Sequence, residues 1–186
     1  MTHAHLRRIL APLWLAFAAG AIYLALFHRE LVIDRLRAAS GASMLAGGAL
    51  YLLLGCLRGF TLIPATSLVL IGIVFFPPGP LFVLTLVGIL VSSASIYYFS
   101  EALHLDELLR RKHAARLDRL RALLQRYGLP IIIGWAFFPL VPTDLICYLA
   151  GVLRINVRTV LFGVGLGEGA ICGLYIFAGA WWLRGL

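Results

Sequence analysis

Three ionisable residues sit in stretches of this chain that are otherwise too apolar to tolerate charge: Arg58, Asp144 and Glu168. A charged side chain at membrane depth is costly, so it marks an ion or substrate pathway by default. Asp144 follows Pro142-Thr143 inside an apolar run. It is the strongest candidate for binding a proton or a substrate, with Thr143 beside it. Both residue types also cap helices by accepting bonds from free amides, and capping would keep Asp144 ionised and aimed inward. Arg58 offers a planar fork that matches a phosphate bidentately. It is equally an interfacial arginine that snorkels, or the counter-ion of Asp144 if their segments meet. Glu168 lies well inside the last apolar run, where a proton-relay role and a buried structural pair are both open. Glu101 closes the preceding span and reads first as an interfacial residue, with a coupling site as the alternative.

Two short stretches must position these groups. Phe60-Thr61-Leu62-Ile63-Pro64-Ala65-Thr66 and Phe138-Pro139-Leu140-Val141-Pro142-Thr143-Asp144 share the pattern Phe-x-Leu-[Ile/Val]-Pro, a small residue, then a polar one. Proline removes a backbone donor and breaks a helix. In hydrocarbon, a helix broken at Pro64, or at Pro139 and Pro142, survives only where its freed carbonyls face a cavity or other protein. Paired interruptions in the two halves of a membrane protein point to a transport site.

The composition is that of a membrane protein: 62% hydrophobic, with mean hydropathy +0.97. A span takes roughly 20 apolar residues. The charge-free run from Gly59 to Ser100 is too long for one span, and Pro77-Pro78-Gly79-Pro80 is the natural turn. Positive charge orients the rest, since basic residues mark the cytoplasmic side. A first span over about 9–27 starts inside, next to Arg7 and Arg8. Its apolar stretch exceeds that of a cleaved signal peptide, so it reads as an uncleaved anchor. A hairpin over 42–78 enters and leaves on the outer side, and a span over 80–102 runs inward. A second hairpin over 129–153 enters from inside, and a span over 157–183 runs outward. This order leaves eleven basic residues inside and four outside, with Arg58 at a tip. Treating 42–57 as a full crossing would put the most basic segment outside, against that rule. The expected fold is therefore all-α. It is an inverted repeat of two opposed re-entrant helical hairpins plus transmembrane helices, with 1–41 as an N-terminal helix and linker.

The segment 104–127 carries Arg110, Arg111, Lys112 and Arg116 among seven basic residues, and its leucines recur at helical period. It reads as a cytoplasmic amphipathic helix whose basic face meets anionic lipid. A solvated charged helix is the alternative.

On these residues the chain resembles the DedA superfamily, also called the VTT or SNARE-associated Golgi protein domain. The resemblance covers about 42–183. It rests on Arg58 through Pro64, on Leu70-Ile71-Gly72-Ile73-Val74-Phe75-Phe76, on Phe138-Pro139, on Pro142-Thr143-Asp144 and on Tyr148-Leu149-Ala150-Gly151. Members of that family are membrane proteins with opposed re-entrant hairpins, implicated in moving lipids between leaflets. Bacterial members are linked to recycling of undecaprenyl phosphate and to phospholipid flipping with proton-motive-force dependence. The resemblance thus implies membrane lipids and protons as partners, a bacterial inner membrane as location, and no cofactor. Many members carry an arginine where this chain has Ala136, whereas the matching position of its first hairpin holds Arg58. The Glu-x-x-x-Pro-x-Pro motif of the best-studied branch is absent, so that branch's substrate does not transfer.

Other chemistry finds little support. The five histidines fall in polar segments without zincin spacing, so no metal site is expected. Cys56, Cys147 and Cys172 lie in apolar sequence without CxxC spacing and read as small buried hydrophobes. The glycines around Glu168 form no phosphate loop. Gly163/Gly167 and Gly165/Gly169 are instead small-xxx-small pairs that permit close helix packing. No nucleophile–base set appears, so an enzyme is not expected, and nothing points to nucleic acid. The sequence leaves three functions: a lipid translocase, scramblase or flippase, a proton-coupled transporter of a small solute or ion, and a structural or assembly factor. A homodimer is compatible with so small a bundle.

Overall fold

The computed structural model describes residues 29–61, 64–102, 105–139 and 141–184, with isolated positions between 12 and 23. The first span expected over 9–27 falls largely outside the described residues. The rest is helical: α1 (Arg29–Ala42), α2 (Met44–Leu57), a short 3-10 turn (Arg58–Thr61), α3 (Ala65–Phe75), α4 (Pro78–Ala102), α5 (Leu105–Phe137), α6 (Thr143–Val152) and α7 (Val157–Arg184). Three helical stretches among the described residues are long and apolar enough to cross a membrane: Met44–Thr61, Pro78–Ala102 and Val157–Trp182. The last two match the expected spans over 80–102 and 157–183. The first includes the segment read as a hairpin arm.

Local chemistry sets the breaks. Ser43 caps α2, its hydroxyl accepting from the Ala46 amide at 3.0 Å. At the other end of α2 the Thr61 hydroxyl donates to the Arg58 carbonyl at 2.5 Å. That bond satisfies an oxygen which a continuing helix would have needed, while Pro64 has no amide to carry the helix on. α3 restarts immediately after Pro64 and α6 immediately after Pro142, each proline standing where a missing donor costs nothing. α6 ends on Arg154, which takes a left-handed φ of 53°. The Ile155 amide closes back onto the Ala150 carbonyl at 2.9 Å, and the Tyr97 hydroxyl of α4 donates to the Ile155 carbonyl at 2.7 Å.

One boundary differs from expectation. The segment 104–127 does not end before the second interruption. It is the first part of α5, a single helix of 33 residues that runs through Pro130 to Phe137. A mid-helix proline normally breaks or kinks a helix. Here the residues around it are held against α7, Gly128 near Thr159 and Ile132 against Gly163, so tertiary packing overrides the local signal.

Residue contacts give the helix directions. Gly48 meets Leu84, Gly55 meets Gly88 and Gly59 meets Ser92, so α2 and α4 run the same way. Ile132 meets Gly163 and Ala136 meets Gly167, so α5 and α7 run the same way. Leu90 meets Gly165, Leu86 meets Gly169 and Phe82 meets Gly173, so α4 and α7 run opposite ways. α6 follows α4, with Gly151 on Ser100, and α3 follows α7, with Ile73 at Gly179. The chain therefore reverses between α2 and α3, and again, in the opposite sense, between α5 and α6.

The packing repeats itself across the two halves. The Gly55–Gly88 contact has its counterpart in Ile133–Gly167, and Ile73–Gly179 in Gly151–Ser100. Each pair maps onto its mate, to within a residue, by the spacing that separates Pro64 from Pro142. The first arm of each half lies on that half's own long helix, α2 on α4 and α5 on α7. The return arm lies mainly on the long helix of the other half, α3 on α7 and α6 on α4. The outer faces keep large apolar side chains exposed, among them Leu70, Val83, Phe162, Leu174 and Trp181, as a surface in contact with hydrocarbon requires.

This packing makes a stability prediction. A Cβ on Gly167 would lie 2.6 Å from the Ile133 carbonyl oxygen and 2.7 Å from the Ala136 Cβ, whereas one on Gly134 meets nothing within 4 Å. Gly167→Val should cost about 1–3 kcal/mol through overpacking. Gly134→Ala should gain up to about 1 kcal/mol through helix propensity. Unfolding in detergent micelles measures both, and equal effects would refute the close α5–α7 contact.

Candidate functional site

The two interruptions meet, and the charged residues meet with them. Arg58, at the junction of α2 and the 3-10 turn, extends one guanidinium nitrogen to Glu168 Oε2 on α7 at 3.0 Å and the other to Asp144 Oδ2 on α6 at 3.4 Å. All three are buried, with relative exposures of 7% for Arg58, 0% for Asp144 and 4% for Glu168. The cluster lies near the middle of both long helices. Glu168 is central in α7, and Gly59, next to Arg58, abuts Ser92 midway along α4.

Helix geometry explains why the ions can sit there. Asp144 is in the first turn of α6, where the helix dipole favours a negative charge. Pro142 holds the cap position and has no side chain that can cap the helix. Gly59 brings α2 against α4 so closely that any Cβ would overlap Ser92 Oγ and lie 2.9 Å from Asp144 Oδ1. A larger residue there would push the ion cluster apart.

The charges do not balance. One guanidinium faces two carboxylates, which leaves one excess negative charge in a buried site when both acids are ionised. Buried ions are tolerated only when paired and fully hydrogen-bonded. Asp144 Oδ1 has no hydrogen-bond partner, and neither do the hydroxyls of Ser92 and Ser93. Beside the cluster a narrow cleft opens between the two interruptions. It is lined by Pro64, Ala65 and Thr66 on one side and by Phe138, Pro139 and Thr143 on the other, with Glu168 and Cys172 from α7. It has room for about one water molecule, so in this state the site is closed to anything larger.

The remaining candidates lie elsewhere. Glu101 ends α4 and is half-buried, more than two helical turns beyond Ser92. Thr143 is buried at 4% exposure beside the cleft. Arg110, Arg111, Lys112 and Arg116 are on the helical backbone of α5, and their side chains fall outside the described residues. Among the described residues no group of three or more His, Cys, Asp or Glu side chains could hold a metal ion. The sequence reading anticipated the Arg58–Asp144 pair but not Glu168 as the shorter partner of Arg58. Ser92 and Ser93 are not singled out by the sequence, because their acid neighbour lies across the bundle on another helix.

Apolar spans around a buried ion cluster, met by two helix interruptions from opposite halves, define an integral membrane protein. Residues 63–181 match the VTT domain, and the chain belongs to that family, the DedA and SNARE-associated Golgi protein family. The resemblance read from the sequence is borne out. Asp144 and Glu168 fall inside the match and Arg58 precedes it. No curated protein and no solved structure matches the chain.

The ion cluster makes a thermodynamic prediction. Arg58→Met should cost about 3–5 kcal/mol, because it strands two buried carboxylates. Combining it with Asp144→Asn and Glu168→Gln should recover most of that loss. Chemical unfolding in detergent provides the comparison. If the triple variant is no more stable than Arg58→Met, the cost does not come from stranded charge.

Proposed function

We propose that this protein is a lipid translocase, moving a phospholipid or polyprenyl phosphate between leaflets, with Arg58 as the phosphate-headgroup site. The observation that carries the reading is the buried Arg58–Asp144–Glu168 cluster where the two interruptions meet. An arginine fork binds phosphate as it binds carboxylate, so a headgroup competes with the two acids for the same donors. Protonation of Asp144 weakens its hold on Arg58 and frees one guanidinium nitrogen for cargo, while Glu168 keeps the other. Loss of the proton restores the pair and expels the cargo.

In this reading α2–α3 and α5–α6 are re-entrant hairpins entering from opposite faces, and together with α4 and α7 they make an inverted repeat. The supports are the opposite helix directions, the repeated contacts and the helix lengths. α3 has 11 residues and α6 has 10, so they are about 16 and 15 Å long, roughly half the hydrocarbon thickness. The basic residues of α5, with Arg154 and Arg158, place that end of the bundle in the cytoplasm by the positive-inside rule, in keeping with a bacterial inner membrane. A proton-coupled transporter of a small solute would use the same architecture, and the closed cleft, with room for about one water, is the observation in its favour.

Fluorescent-lipid exchange in proteoliposomes decides between them. The wild type should exchange headgroups between leaflets, faster as pH falls, because the protonated acid releases Arg58. Arg58→Ala should lower the rate by about 10-fold or more, the worth of one charge-assisted hydrogen bond. Asp144→Asn should lose both the exchange driven by a pH gradient and the pH dependence. Wild-type rates in both variants would end this reading. No exchange by any form, with solute uptake intact, would favour the small-solute transporter.

A further inference from the structure

The orphan oxygens beside the ion cluster point to a second ligand. Asp144 Oδ1 and Ser92 Oγ are fully buried and hydrogen-bonded to nothing. Both lie against the point where a Gly59 side chain would begin. They are therefore neighbours, and no hydrogen bond joins them. Ser93, the next residue of α4, has a third buried hydroxyl without a partner. Its polar neighbour across the interface is the Cys147 thiol, a weak one. Buried polar groups left in this state are rare and call for an explanation. The same place holds one excess negative charge when both acids are ionised.

We propose that a sodium ion binds here, between Asp144 Oδ1 and the hydroxyls of Ser92 and Ser93. A proton on Asp144 would cancel the charge but satisfy one hydroxyl at most. A hard monovalent cation cancels the charge and takes oxygen ligands from all three residues together. Ser92 Oγ, the Ile96 side chain and Asp144 Oδ1 crowd the point beside Gly59, so the site can take a small ion but not a large one. The surroundings suit a cation too, since carbonyl ends of discontinuous helices are common sodium ligands and the α2 terminus adjoins the site. The charged and titratable groups around Asp144 are Arg58 from the end of α2, Glu168 from α7 and Cys147 on α6 itself. The inference concerns the same cluster as the transport reading and does not depend on transport.

Thermal unfolding of the full chain in detergent tests it, in sodium, potassium or choline chloride at equal ionic strength and neutral pH. Sodium alone should raise the midpoint saturably. Ser92→Ala should shift the half-saturating sodium concentration upward by about 10-fold, the loss of one hydrogen-bonding ligand to a charge. Asp144→Asn should abolish the response, and direct binding of radioactive sodium should follow the same order. Equal effects of the three salts, or a sodium response unchanged in both variants, would overturn the proposal. So would stabilisation by lower pH without any response to sodium, which would assign the site to a proton. None of these results bears on lipid exchange, so the two readings fail separately.

Discussion

A single guanidinium shared by two acids is the constraint around which the rest of the molecule is arranged. Arg58 comes from the first half of the chain, and Asp144 and Glu168 come from the second. Burying any one of them alone would be prohibitive. Together they require that the end of α2, the start of α6 and the middle of α7 reach one point, and the prolines let two of those elements begin or end there. The glycine contacts follow from the same demand. α2 and the turn after it must approach α4 at Gly55 and Gly59, and α5 must approach α7 at Gly163 and Gly167, where any side chain in place of glycine would meet the neighbouring helix.

Contacts recur across the two halves, but the charged residues do not. The position matching Arg58 in the second half is Ala136, and the position matching Asp144 in the first half is Thr66. A symmetric charge pattern would have placed two arginines or two aspartates at one centre. The observed pattern gives each half one member of an opposite-charge pair, so the halves attract where they meet. Glu168 then exceeds what that pair needs, which leaves the centre with one more acid than base.

Much of this was legible in the sequence, for a physical reason. Proline and buried charge are strong local signals, and Pro64, Pro142, Arg58 and Asp144 could be read without knowing the packing. What was not legible depended on register between distant helices. Glu168 faces Arg58 only because α7 turns that face inward, and nothing near Glu168 in the chain encodes the choice. Ser92 matters only because Gly59 lies against it. α5 shows the opposite failure. Pro130 is a valid local stop signal, and the contacts of Gly128 and Ile132 with α7 outweigh it.

The crossed packing of the return arms bears on how such a protein can be made. α3 leans mainly on α7 and α6 mainly on α4, so each half seats most of its returning helix on the other half. During synthesis α3 and Arg58 leave the ribosome long before α7 exists to receive them. The first half must therefore wait in the membrane as an open, charged intermediate. Its completion is a clasp, and because α7 follows α3 in the chain and receives it, α7 is the latch of the first half.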